Sequence, residues 1–123
     1  MNKWDVVLLS YPFTDLSGAK VRPAIVISPT AYNQVSQDGV FILITSNTAR
    51  RSAYDLVVPR AHAEFQLTGL RHDSAIRVDK IFALNKKLLV QTLGRVGPQL
   101  QREVERQLRA FLELPGDQLA LKM

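Results

Sequence analysis

Two segments decide the fold: Lys20-Val21-Arg22-Pro23-Ala24-Ile25-Val26-Ile27-Ser28 and Phe41-Ile42-Leu43-Ile44-Thr45-Ser46-Asn47. Each is an apolar run rich in β-branched residues, which suits a strand. Each also carries polar groups at one end. In the first, a guanidinium sits where the chain enters the strand. In the second, two hydroxyls and an amide sit where the strand leaves. If the strands are neighbours, the cation and the hydroxyls meet. An arginine fork beside hydroxyl donors suits a phosphodiester.

Working outward, Trp4–Ser10 reads as a first strand ended by Tyr11-Pro12-Phe13, because proline cannot donate to a ladder. Thr14–Lys20 is a loop with turn chemistry at Asp15 and Gly18. The second strand covers about Val21–Ser28, and Pro23 implies an edge or strand-start position. Thr30–Asp38 reads as a helical turn or loop, Val40–Asn47 as the third strand and Tyr54–Val58 as a short fourth. Arg60–Asp73 holds both histidines and has no clear period. Ser74–Leu84 alternates as a fifth strand, which puts Arg77 and Asp79 on one face. Lys86–Leu89 fits one helical turn and Val90–Val96 a sixth strand. Gly97-Pro98 opens a helix whose Leu100, Val104, Leu108, Phe111 and Leu112 form one apolar stripe, stopped by Pro115-Gly116. Asp117–Met123 reads as a tail.

The expected fold is mainly β with a C-terminal helix, a single domain over residues 1–114 and a tail over 115–123. The two central strands are apolar on both faces, so one face fills a small barrel and the other needs the helix, a loop or a second subunit. The 123 residues suffice for one core and are 46% hydrophobic. The chain has no cysteine, which excludes disulfides and thiolate metal sites and points to the cytoplasm. No apolar run approaches the roughly 18 residues of a membrane span. Met1–Asp5 reaches an acid too early for a secretory signal. The net charge of +5 and a pI near 9.9 favour polyanions, nucleic acid among them.

The ordered set Asp5-Val6-Val7, Arg22-Pro23-Ala24-Ile25-Val26-Ile27, Tyr32-Asn33, Ile44-Thr45-Ser46, Asp73-Ser74 and Gly94-Arg95-Val96 resembles the PemK/MazF family of type II toxin–antitoxin toxins, from about Asp5 to Leu112. The resemblance implies an SH3-like small barrel of the CcdB/Kid/MazF type with a C-terminal helix. It implies a homodimer and a cognate antitoxin, with any contact to operator DNA made through the antitoxin complex. It also implies cleavage of single-stranded RNA without cofactor or metal. The arginine of the Arg-Pro motif is Arg22, and the hydroxyl after the third apolar strand is Thr45, with Ser46 beside it. The Arg-X-Asp that some members carry on the fifth strand is Arg77-Val78-Asp79. Two departures stand out: Trp4 replaces the glycine of the family's opening Gly-Asp, and the loop before the Arg-Pro motif is shorter.

RNA cleavage by 2′-hydroxyl attack must remove a proton from the nucleophile, balance charge on the phosphorane and protonate the leaving oxygen. Arg22 suits the charge and Thr45 a hydrogen bond to phosphate. Asp79 is the candidate general base, although Arg77 two residues away lowers a carboxylate's basicity. Arg77 joins Arg22, Thr45 and Asp79 as a candidate catalytic residue, and Lys20, Ser46, Asn47, Arg50 and Arg51 are candidate substrate contacts. Each has a plainer reading: Arg22 as partner of Asp15, Arg77–Asp79 as a salt bridge, Arg50-Arg51 as a solvated loop. His62 and His72 lack ligand spacing, and His62-Ala63-Glu64 lacks the cysteines of a zinc deaminase. His72 can serve as an acid or base if it lies near the site, and Tyr11 and Phe13 can stack on a base. Two rival functions fit the same residues: a toxin of this fold that inhibits a protein such as gyrase, and a small RNA-binding barrel without chemistry.

Overall fold

The computed structural model describes residues 1–11 and 20–116. The loop turn at Asp15 and Gly18, Pro12, Phe13 and the tail 117–123 lie outside them. The strands are β1 (Asp5–Tyr11), β2 (Lys20–Val26), β3 (Asp38–Thr45), β4 (Leu56–Val58), β5 (Ser74–Asn85) and β6 (Leu89–Arg95). Helices α1 (Thr30–Val35), α2 (Phe65–Thr68) and α3 (Pro98–Leu112) complete the chain, with a 3₁₀ turn at Lys86–Leu88. The strands form one curled antiparallel sheet in the order β4-β5-β3-β2-β1-β6, a half-barrel with a C-terminal helix.

The sheet buries both faces. On one, Val6, Ile25, Ile42, Ile44, Ile76 and Val78 pack against Leu100 and Val104 of α3. On the other, Val7, Leu9, Ala24, Val26, Phe41 and Leu84 gather with Met1, Phe82, Leu88 and Leu89 around them. Leu112 lies off the predicted stripe and is exposed, whereas Leu108 and Phe111 pack on the core.

β2 is an interior strand, not the edge that Pro23 suggested, yet the proline still leaves its mark. β2 pairs with β3 at three positions, Ala24↔Leu43, Ile25↔Ile42 and Val26↔Phe41, and pairing stops just short of Pro23. The Ile27 N–H bonds the Val40 carbonyl at 2.9 Å. Alternation then turns the nitrogens of Ile25 and Pro23 toward β3 as well. At Pro23 that nitrogen has no hydrogen to give. The two strands part there.

β5 holds the second irregularity. Its register against β3 jumps from Ile42↔Ile81 to Leu43↔Arg77, leaving Val78, Asp79 and Lys80 in a bulge. An odd number of extra residues reverses the side-chain alternation. Ile76 and Val78 therefore share a cluster with Ile81, and Phe82 and Leu84 fall on the opposite face.

Two long-range devices fix α2 and α3. The first turn of α3 has no N–H at Pro98, and the Glu64 carboxylate accepts the next two, from Gln99 at 3.0 Å and Leu100 at 2.7 Å. Burial alone would raise the Glu64 pKa, but those two N–H groups, with His62 and Arg102 nearby, hold it below its ordinary value. α2 ends at Gly69 with φ of 73° and is pressed against β6: a Cβ on Gly69 would stand 2.2 Å from the Leu93 carbonyl oxygen, and one on Gly94 2.2 Å from that of Leu67. This contact sets the segment that follows α2.

Candidate active site

Where β2 and β3 part, a cleft of about 470 Å³ opens. Val21, Arg22 and Pro23 form one wall and Ile44, Thr45 and Ser46 the other; Leu70, Arg71, His72 and Ser74 close it from the segment after α2, with Gln91 and Leu93 from β6. Continuing the β2–β3 register two residues past Ala24↔Leu43 sets Arg22 opposite Thr45, on the same face as that pair. Arg22, Thr45 and Ser46 all line the cleft. A second hollow of about 480 Å³, lined by Ser46, Thr48, Arg60, His72 and Asp73, adjoins the first through Ser46 and His72.

Arg22 pairs with Leu9 across β1, which puts it on the face of Tyr11. Burial pushes the Tyr11 hydroxyl pKa well up, against the pull of the Arg22 charge, so the phenol stays protonated beside the guanidinium. The Thr45 Oγ1 accepts the Asn47 N–H at 3.1 Å, which leaves the hydroxyl proton to be donated elsewhere. The Asn47 Oδ1 accepts the Ala49 N–H at 3.0 Å, within its own turn.

Arg77 and Asp79 do not line the cleft. The Arg77 guanidinium is buried against the equally buried Asp55 carboxylate and donates to the carbonyls of Asn47 at 2.8 Å and Ala49 at 3.0 Å. The Asp55 Oδ2 also accepts the N–H groups of Arg51 at 2.7 Å and Ser52 at 3.1 Å. Burial works to raise the Asp55 pKa, but these N–H donors and Arg77 outweigh it and hold the pKa below the ordinary value. The plain Arg77–Asp79 salt bridge does not form: Arg77 pairs with Asp55 instead, and Asp79 lies in the bulge, half-buried, with Oδ1 buried and unbonded. Arg50 folds back on its own loop, donating to the carbonyls of Ser52 at 3.3 Å and Ala53 at 3.1 Å. Arg51 and Lys20 are exposed outside the cleft lining.

Sequence reasoning had no means to place Ser74, Arg71 and Gln91 in the lining. Arg71 and His72 arrive there through the α2–β6 contact, whose sequence signal is the pair Gly69 and Gly94. Among the described residues no three His, Asp or Glu side chains gather as a metal site.

A half-barrel whose parted strands bring arginine, threonine and serine to one cleft defines a small β-protein with a cation and hydroxyls in a single site. Residues 2–112 match the family of PemK-like, MazF-like toxins of type II toxin–antitoxin systems, and the chain belongs to that family. It is 38% identical over 97 residues to Endoribonuclease MazF6 of Mycobacterium tuberculosis and to Endoribonuclease MazF2 of Mycobacterium bovis, covering 78% of this chain and 82% of each relative. The fold matches a mycobacterial endoribonuclease solved in complex with its cognate antitoxin, at a TM-score of 0.73 and 21% identity over 94% of this chain and 98% of that one. It also matches MazF in the MazE–MazF structure from Deinococcus radiodurans, at 0.73 and 23% identity over 94% and 98% of the two chains.

Proposed function

We propose that this family toxin is an endoribonuclease that cuts single-stranded RNA in the cleft between β2 and β3 by 2′-hydroxyl attack, without a metal ion. The 2′-oxygen bonds to phosphorus, the P–O5′ bond breaks, and the products are a 2′,3′-cyclic phosphate and a free 5′-hydroxyl. The single observation that carries the reading is the register that sets Arg22 across from Thr45 where pairing ends. Arg22 balances the phosphorane charge with a fork that stays protonated. Thr45 donates a hydrogen bond to a phosphate oxygen, and Ser46, shared by both hollows, holds the neighbouring nucleotide. His72, at the seam of the two hollows, takes the proton of the attacking 2′-hydroxyl and returns one to the leaving O5′, since an imidazole has a nitrogen that accepts and an N–H that donates.

The cognate antitoxin is a protein that blocks this cleft, and operator DNA is reached only through that complex. The toxin works as a homodimer in the cytoplasm, where its substrate is. No helix among the described residues is long and apolar enough to cross a membrane.

The test is to incubate the purified chain with mixed-sequence RNA in EDTA and sequence the 5′ ends of the fragments. Cleavage at a defined motif with 5′-hydroxyl ends is expected, and Arg22→Ala should reduce the rate by about 10²–10³, the scale of losing one transition-state charge partner. Full activity of that variant, or no cleavage by the parent chain, overturns the reading.

A further inference from the structure

The buried ion pair of Arg77 and Asp55 takes no part in the steps above, yet its two side chains make five hydrogen bonds among the described residues. We propose that Arg77 and Asp55 are positioning residues for the cleavage reaction: they hold the segment between β3 and β4 so that the Thr45 hydroxyl presents its proton to the cleft. The inference rests on the assignment of Thr45 to that reaction.

The connection is continuous and short. The Asp55 carboxylate pairs with Arg77 and gathers the Arg51 and Ser52 N–H groups. Arg77 spans from that carboxylate to the carbonyls of Asn47 and Ala49. The Asn47 peptide, held at its carbonyl, gives its N–H to the Thr45 Oγ1. With one lone pair engaged by that N–H, the hydroxyl keeps its hydrogen free to be given to the cleft. The two side chains are only 7% and 0% exposed, and neither lines the cleft, so their effect on substrate has to pass through the segment they hold. A planar fork with five fixed donors suits this work, because three acceptors in different directions are met at once. Arg77 is also diagonal to Thr45 on the sheet, since Leu43 pairs with Arg77 and Thr45 with Ala75.

The experiment uses the full chain carrying Arg77→Lys, which keeps a cation opposite Asp55 but replaces the fork by a point charge on a flexible stem. Asp55→Asn, close in shape, is the second variant should the first fail to fold. Cleavage is measured in single turnover on an RNA with a mapped cut site. Binding is measured on the same RNA with a 2′-deoxy sugar at the cut. Both are repeated in a Thr45→Ala background, and amide hydrogen exchange is followed at Asn47, Arg51 and Ser52. Arg77→Lys should slow cleavage by about tenfold or more, change binding by less than about threefold, and speed exchange at Asn47. In the Thr45→Ala background it should cost less than about twofold further, because the hydroxyl it orients is gone. A full, additive loss in that background means that Arg77 acts on substrate directly and overturns the proposal. So does an unchanged rate beside faster exchange. If the parent chain cuts no RNA, the assignment of the reaction fails, and unchanged protection at Asn47 separately overturns the hold on the segment.

Discussion

Gly94→Ala tests whether the contact between α2 and β6 sets the cleft. A Cβ at residue 94 would lie 2.2 Å from the Leu67 carbonyl oxygen and 2.7 Å from the Thr68 carbonyl carbon. Ordinary contact between unbonded heavy atoms is about 3.5–4 Å, so the helix end and the strand must separate by more than about 1 Å. Both partners are backbone, and no rotamer change relieves the clash. Overpacking of this kind costs about 1–3 kcal/mol. At about 2.1 cal/mol/K per residue, a chain of 123 residues loses about 4 °C of Tm per kcal/mol, so Tm should fall by about 4–12 °C. Two internal controls grade the effect. Gly39→Ala would meet the side chains of Met1 at 2.5 Å and Phe41 at 2.9 Å, and the methionine end can yield. Gly116→Ala would meet nothing within 4 Å. Thermal unfolding should rank the losses Gly94 > Gly39 > Gly116. RNA cleavage should also fall in Gly94→Ala at temperatures where it remains folded, because the displaced segment carries Arg71 and His72. A Gly94→Ala protein as stable and active as Gly116→Ala would refute the close approach and the dependence of the cleft on it.

Two further outcomes follow from the fold. Trp4 adopts φ of 76°, a left-handed conformation that costs a residue with a Cβ about 1–2 kcal/mol; Trp4→Gly should therefore unfold later than Trp4→Ala by about 1 kcal/mol in denaturant, as both lose the same indole, and a reversed order sinks the argument. The folded Glu64 pKa lies below its ordinary 4.5, so its cap on α3 contributes fully above that pH and fades as pH falls through the folded value; the stability gap between the parent and Glu64→Gln should narrow with acidification, and a gap that widens would contradict the cap.

The strands were legible because their signals are local. β5 and β6 begin and end within a residue of their predicted bounds, apolar alternation and flanking turns being enough. The departure at Trp4 also has a local meaning: the backbone there is left-handed, a conformation glycine adopts freely and a tryptophan does not. What the sequence hid was non-local. The bulge at Val78–Lys80 has no compositional mark, so the strict alternation that joined Arg77 to Asp79 was drawn through it. Asp55, the real partner of Arg77, lies 22 positions away, inside the stretch Tyr54–Val58 that reads as a fourth strand, with nothing to mark it as a buried acid. The carboxylate capping α3 comes from 35 residues upstream. Of the candidate site, Arg22, Thr45 and Ser46 lie where local reasoning put them, at strand ends beside the cleft. Arg50 instead folds back on the carbonyls of its own loop.

Pro23 has a consequence for how such a protein can change. The gap between the central strands exists because one nitrogen lacks a hydrogen, which is an all-or-none property of the residue. Side-chain exchanges around the rim can reshape what enters, but none of them can widen or narrow the seam by degrees. New substrate preferences would accordingly accumulate in Arg71, His72 and the turns beside them, while position 23 stays under a constraint that packing alone would never impose.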